Sequence, residues 1–149
     1  MPSAVQTMEI AVPRASMYAL ITDFNNYASF LDDIKAAKIV RREGETYDVA
    51  FTAKVIRDID YTLRLVGKPP ESLTWHLIAG TLFKTSDGSW KLEALGPELT
   101  RATYSIDVKV SAFVPSAISN RLIQFTLPTM LAQWKKHAEA LHKAQGGRT

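Results

Sequence analysis

The chain has 149 residues, 46% hydrophobic and 22% charged, with a formal net charge of +3. That length buries a real core in one domain, and the balance is that of an ordinary soluble protein with scattered, solvated Lys and Arg. There is no cysteine, which excludes a disulfide framework and any thiolate nucleophile or metal ligand.

The start, MPSAVQTMEI, lacks the basic and apolar regions of a signal peptide, and no apolar run approaches membrane-spanning length. A cytoplasmic setting is therefore expected. Residues 6–12 alternate and predict a first strand, which Pro13 stops. Met17, Leu20, Ile21 and Phe24 then recur at helical spacing. Asn25-Asn26 breaks that helix, and Tyr27, Phe30 and Leu31 form a second short apolar patch before Asp32-Asp33.

From Ile34 to Val110 the period changes to two. Strand 2 spans about Ala36–Arg42. Strand 3 carries Tyr47, Val49, Phe51, Ala53 and Val55 on one face against Asp48, Thr52 and Lys54. Strand 4 repeats this with Ile59, Tyr61, Leu63 and Leu65 against Asp60, Thr62 and Arg64. Gly67-Lys68-Pro69-Pro70 is a turn. Strand 5 sets Leu73, Trp75 and Leu77 in phase, and residues 81–95 do the same with Trp90, Leu92 and Ala94. Asp87-Gly88 fits either a hairpin turn or a bulge in one long strand, with the bulge favoured. The last strand places Ala102, Tyr104, Ile106, Val108 and Val110 opposite Arg101, Thr103, Ser105, Asp107 and Lys109. The chain ends in its longest helical stretch, Val114–Lys143. There Leu127, Leu131, Trp134, Ala138 and Leu141 share a face, Ser116 is read as the N-cap, and Pro128 predicts a kink near Thr126–Leu127.

The order β-α-α-β₆-α defines an α+β fold, a mostly antiparallel sheet with one apolar face and helices at both ends. Seven strands span roughly 30 Å, whereas a helix is about 10–12 Å wide. One helix cannot cover that face, so a curled sheet leaves a volume between the two. Tyr47, Tyr61, Trp75, Trp90 and Tyr104 fall in the inward register, with Tyr27 and Trp134 joining from the helices. Buried phenol and indole tips need partners, which a pocket with apolar walls and a few polar groups supplies.

These residues resemble a known family. Asp23-Phe24, Tyr27 and Phe30-Leu31 follow the first helix; Gly80 and Phe83-Lys84 lead to Asp87-Gly88, Trp90 and Leu92. Thr100-Arg101-Ala102-Thr103-Tyr104, Phe113-Val114-Pro115 and the Leu127-Pro128 step complete the set. Over nearly its whole length the chain resembles the START/Bet v 1-like helix-grip (SRPBCC) superfamily, in the group of polyketide cyclase/dehydrase and coenzyme Q-binding proteins. The resemblance implies one domain (core about 6–143), with a seven-stranded curved antiparallel sheet wrapped around the long C-terminal helix. It implies a pocket for a lipid, quinone, polyketide or similar hydrophobic molecule, to be transported or sequestered. Some relatives cyclise and dehydrate polyketides in the same pocket, and one branch is a ribosome-associated toxin.

The expected ligand wall is Phe51, Tyr61, Leu63, Trp75, Trp90 and Tyr104, with Leu131 on the helix. Phe113, Leu122 and Phe125 stand near the mouth, and Phe24, Tyr27 and Phe30 close the other end. No catalytic residue, metal ligand or cofactor is assigned: no Ser/His/Asp order, phosphate-cradling Gly-rich loop or metal-spaced cluster stands out. His76, His137 and His142 are read as solvated. Arg64 shares the wet face with Asp60 and Thr62 and is expected in a cross-strand ion pair. That leaves phenols and indoles facing inward, a pattern for binding more than for catalysis. Lys35, Lys38, Arg41, Arg42, Lys54 and Arg57 alternate with Asp48, Asp58 and Asp60, without exposed aromatics, so nucleic acid is not an expected partner. Transient contact with an anionic membrane surface would use the same patch. Monomer and homodimer both remain open.

Overall fold

In the computed structural model, which describes residues 3–54, 58–80, 83–110 and 127–144, the alternating segments become one sheet. Its strands are β1 (Ser3–Ile10), β2 (Ile34–Glu43), β3 (Thr46–Lys54), β4 (Asp58–Lys68), β5 (Ser72–Gly80), β6 (Phe83–Gly96) and β7 (Leu99–Val110). All neighbours are antiparallel in the order β1-β7-β6-β5-β4-β3-β2, so β2 to β7 form a meander and β1 closes onto the last strand. Helix α1 (Arg14–Ile21) and a 3-10 helix (Phe24–Ser29) follow β1, and helix α2 is Leu127–Ala144. The curved sheet carries its apolar residues inward: Val49, Phe51, Leu63, Leu65, Leu73, Trp90, Leu92 and Ala102 are buried. Register shifts in the β2–β3 and β4–β5 pairs add local bend and twist to that sheet.

Helix α2 lies on this face as its spacing predicts. Leu131, Trp134 and Ala138 are buried, and Trp134 is among the largest fully enclosed side chains. Polar contacts fix its position. The Lys135 ammonium donates to the Glu9 carbonyl at 2.5 Å, and the Glu139 carboxylate accepts the Ala11 N–H at 2.9 Å. On the other side the Gln133 amide donates to the Asp32 carboxylate at 2.7 Å and accepts the Asp32 N–H at 3.2 Å. Pro128 lies within α2, beside the undescribed residues 111–126. Ser116, Phe113, Leu122, Phe125 and Thr126, at the expected kink, lie outside the described residues.

Strand β6 is continuous, but Asp87-Gly88 is not a bulge. Ser86, Asp87, Gly88 and Ser89 pair in unbroken register with Val108, Asp107, Ile106 and Ser105; the shifts lie nearer the strand ends. Glycine serves packing here. Gly88 sits opposite Trp75, and a Cβ on it would stand 2.4 Å from the indole Cζ2. The indole thus lies directly on bare backbone, as Tyr18 does on Gly67, where a Cβ would meet the phenol oxygen at 2.1 Å.

Candidate functional site

Between the sheet and α2 is a cavity of about 160 Å³. Strands β3 to β7 provide most of its wall, with Tyr27, Leu31 and Asp33 at one end and Met130 and Trp134 from α2. The aromatic lining forms a connected chain of ring contacts. Trp75 meets Tyr104 at 5.4 Å, Tyr104 meets Trp90 at 4.9 Å, and Trp90 meets Trp134 at 5.7 Å. Trp134 then meets Tyr27 at 5.1 Å, Tyr27 meets Phe51 at 6.0 Å, Phe51 meets Tyr61 at 5.4 Å, and Tyr61 meets Phe83 at 5.4 Å. Most of these pairs are tilted or edge-on, which aligns positive ring edges with negative faces. Rings held this way keep a gap that flexible aliphatic side chains would fill.

The polar groups on the wall are phenols, the buried Ser86 and Asp33. Burial raises Tyr27, Tyr61 and Tyr104 above the ordinary phenol range, and the phenols of Tyr61 and Tyr104 each add to the shift of Tyr27. All three are therefore neutral hydrogen-bond donors at physiological pH. The Tyr27 hydroxyl donates to the Ile21 carbonyl. Tyr61 lies deep in the molecule yet keeps accessible surface, as a side chain on a cavity wall does. Among the described lining residues there is no Arg, Lys or His.

Of the residues expected here, Tyr27, Phe51, Tyr61, Leu63, Trp75, Trp90 and Tyr104 come together on the wall. Phe24 and Leu131 do not reach it: both are enclosed in the packed core, Phe24 edge-on to Tyr47 at 5.1 Å. Phe30 does not reach it either. It stacks on the His137 imidazole at 3.9 Å between centroids and meets the edge of Trp134. The expectation of a solvated His137 is thereby corrected: its Nε2 is buried without a partner among the described residues, and burial lowers its pKa. His142 is likewise not solvated, its side chain 16% exposed and its Nε2 2.9 Å from the Glu98 carboxylate.

Trp134 joins the wall from α2 as its spacing predicts, and Ile34, Leu65, Ile106, Val108 and Phe83 line the cavity without having been assigned to it. Leu65, Ile106 and Val108 share the inward register of Tyr61 and Tyr104, a signal that was present. Asp33 and Ser86 carried none. Outside the cavity, Arg64 pairs with Asp48 directly across the β3–β4 ladder through two bonds of 2.8 and 3.1 Å. A second, polar depression on that outer face is lined by Arg41, Glu43, Asp48 and Arg64, whose charges are paired with one another.

A curved antiparallel sheet gripping a helix over an apolar, aromatic cavity defines a hydrophobic-ligand-binding fold. Residues 10–135 match the family described as polyketide cyclase / dehydrase and lipid transport, and the chain belongs to that family. Solved structures agree at the level of fold. A START superfamily protein from Mycobacterium smegmatis is 20% identical, covers 93% of this chain and 98% of its own, and superposes with a TM-score of 0.82. The Zhui aromatase/cyclase from Streptomyces sp. R1128 is 16% identical over 93% of both chains, with a TM-score of 0.83. A STAR-related lipid transfer protein from Xanthomonas axonopodis is 12% identical over 91% of this chain and 85% of its own fragment, with a TM-score of 0.77. No curated protein matches the sequence. Among the described residues no helix is long and apolar enough to cross a membrane.

Proposed function

We propose that the protein binds a hydrophobic small molecule in the aromatic cavity and carries or sequesters it without transforming it. The observation that carries this reading is the wall itself: rings and aliphatic side chains with neutral phenol tips, and no cationic side chain among the described lining residues. Ring closure or dehydration needs one group to polarise a carbonyl and another to move a proton. Phenols held above their ordinary pKa donate hydrogen bonds but are poor bases.

The second reading is a polyketide cyclase/dehydrase, and Asp33, the acidic residue among the described lining, is the feature that favours it. Native mass spectrometry of protein purified from its own cells, followed by extraction, tests binding. All three tryptophans line the cavity, so their emission reports occupancy. The expected result is a retained apolar molecule and an emission change on titration with lipids, quinones or polycyclic aromatics. No retained molecule together with unchanged emission across that panel refutes binding. Cyclised product from a linear poly-β-ketone thioester, abolished in Asp33→Asn, would establish the enzyme reading instead.

A further inference from the structure

Resting on that binding reading and narrowing it, we propose that the cavity selects a neutral single-ring aromatic group bearing an acceptor oxygen, which the hydroxyls of Tyr61 and Tyr104 hold. The five tyrosines divide into two kinds. Tyr27 donates to the Ile21 carbonyl, and the Tyr18 and Tyr47 hydroxyls lie 3.5 and 3.4 Å from the same Glu45 carboxylate oxygen. Tyr61 and Tyr104 face the cavity and, among the described residues, make no hydrogen bond. A donor that faces an apolar cavity without a protein acceptor favours a ligand that provides one over a ligand that does not.

Size sets the second property. A cavity of about 160 Å³ is close to an engineered apolar cavity of about 150 Å³ that holds one benzene. That volume matches a single ring. The surrounding ring edges, with Trp75 and Trp90 against Tyr104 at 5.4 and 4.9 Å, suit a flat occupant.

Charge sets the third. No Arg, Lys or His stands among the described lining residues. A buried anion would find no counter-ion among them and would lose its hydration. The accepted oxygen is therefore neutral: an aryl ketone, aldehyde or ester carbonyl, or a phenol oxygen.

The test compares acetophenone, ethylbenzene and benzoate, which share one ring and differ in the group it bears, by NMR titration of the whole protein at neutral pH. Acetophenone is expected to bind about fivefold or more tighter than ethylbenzene, the return of one to two satisfied donors, and benzoate weakest of the three. In the Tyr61→Phe/Tyr104→Phe double variant the preference for acetophenone over ethylbenzene should fall to near one while ethylbenzene binds as before. The amide spectrum shows whether the variant keeps its fold, and each single Tyr→Phe variant repeats the measurement if it does not. Equal affinities for acetophenone and ethylbenzene, an unchanged preference in the variants, or benzoate binding as tightly as acetophenone each overturns the inference. So does binding of larger lipids or polycycles with no single-ring probe bound, although that result leaves the binding reading intact. Failure of every hydrophobic ligand removes both.

Discussion

Replacing Gly88 with Ala tests whether the cavity wall is built on bare backbone. The added Cβ would lie 2.4 and 2.5 Å from Cζ2 and Cε2 of Trp75, and 2.7 Å from the Ser105 carbonyl oxygen. Two of these atoms belong to a rigid indole and the third to backbone, so no flexible chain end can give way. Trp75 must leave its position against Tyr104, with an overpacking cost of about 1–3 kcal/mol. At this chain length a 2 kcal/mol loss lowers Tm by about 4–8 °C. Gly96→Ala is the control, because a Cβ there meets nothing within 4 Å. Urea unfolding followed by circular dichroism gives the stability difference, and near-ultraviolet dichroism reports the indole environment. Gly88→Ala should be destabilised with an altered aromatic spectrum, and Gly96→Ala should match the parent within about 0.5 kcal/mol. If Gly88→Ala matches the parent in both stability and aromatic spectrum, the packing of Trp75 on Gly88 is wrong.

Three further outcomes follow from the same contacts. Burial depresses the His137 pKa, partly offset by Asp23, so the unfolded chain takes up a proton near about pH 6.5 before the folded one does. The stabilisation is complete above that value and is lost as pH falls toward the folded pKa; the urea midpoint should drop between about pH 7 and about pH 5, and His137→Phe, which keeps a ring on Phe30, should flatten the drop. All five tyrosines titrate high, Tyr18 to about 12, chiefly because they are buried. Stability is therefore full below the unfolded phenol value of about 10 and declines above it, and phenolate absorbance should appear only in step with unfolding; phenolate in the folded protein near about pH 10 would contradict this. Thr100 is fully enclosed and donates to the Val12 carbonyl at 2.7 Å, so Thr100→Val should cost about 1–3 kcal/mol by stranding that acceptor, and a midpoint equal to the parent's would exclude the bond.

Periodicity was legible because it is imposed locally. Side chains alternate across a strand whatever lies above it, so the inward phase of Tyr61, Trp75, Trp90 and Tyr104 could be read directly. The face of α2 carrying Leu131, Trp134 and Ala138 was legible for the same reason at the other period. The cavity followed from widths, since a sheet of seven strands is broader than one helix.

What the pattern did not contain was which inward residues border space and which are packed solid. Tyr47 and Tyr61 occupy equivalent phases on adjacent strands, yet Tyr47 packs on Phe24 and lies 4.8 Å beneath the Arg42 guanidinium while Tyr61 faces the cavity. Where α1, the 3-10 helix and α2 come to rest makes that difference. His137 shows the same dependence: among Lys135, Lys136 and Glu139 it reads as solvated, and Phe30, distant in the chain, covers it. Asp87-Gly88 reads as a turn or a bulge until Trp75 is seen lying across it. Strand phase and helix face are thus properties of the local chain, legible in residues 34–110 and 127–144 alone. The existence of the cavity and the phenols that face it arise from contacts between distant segments, because only packing decides which inward side chains find neighbours.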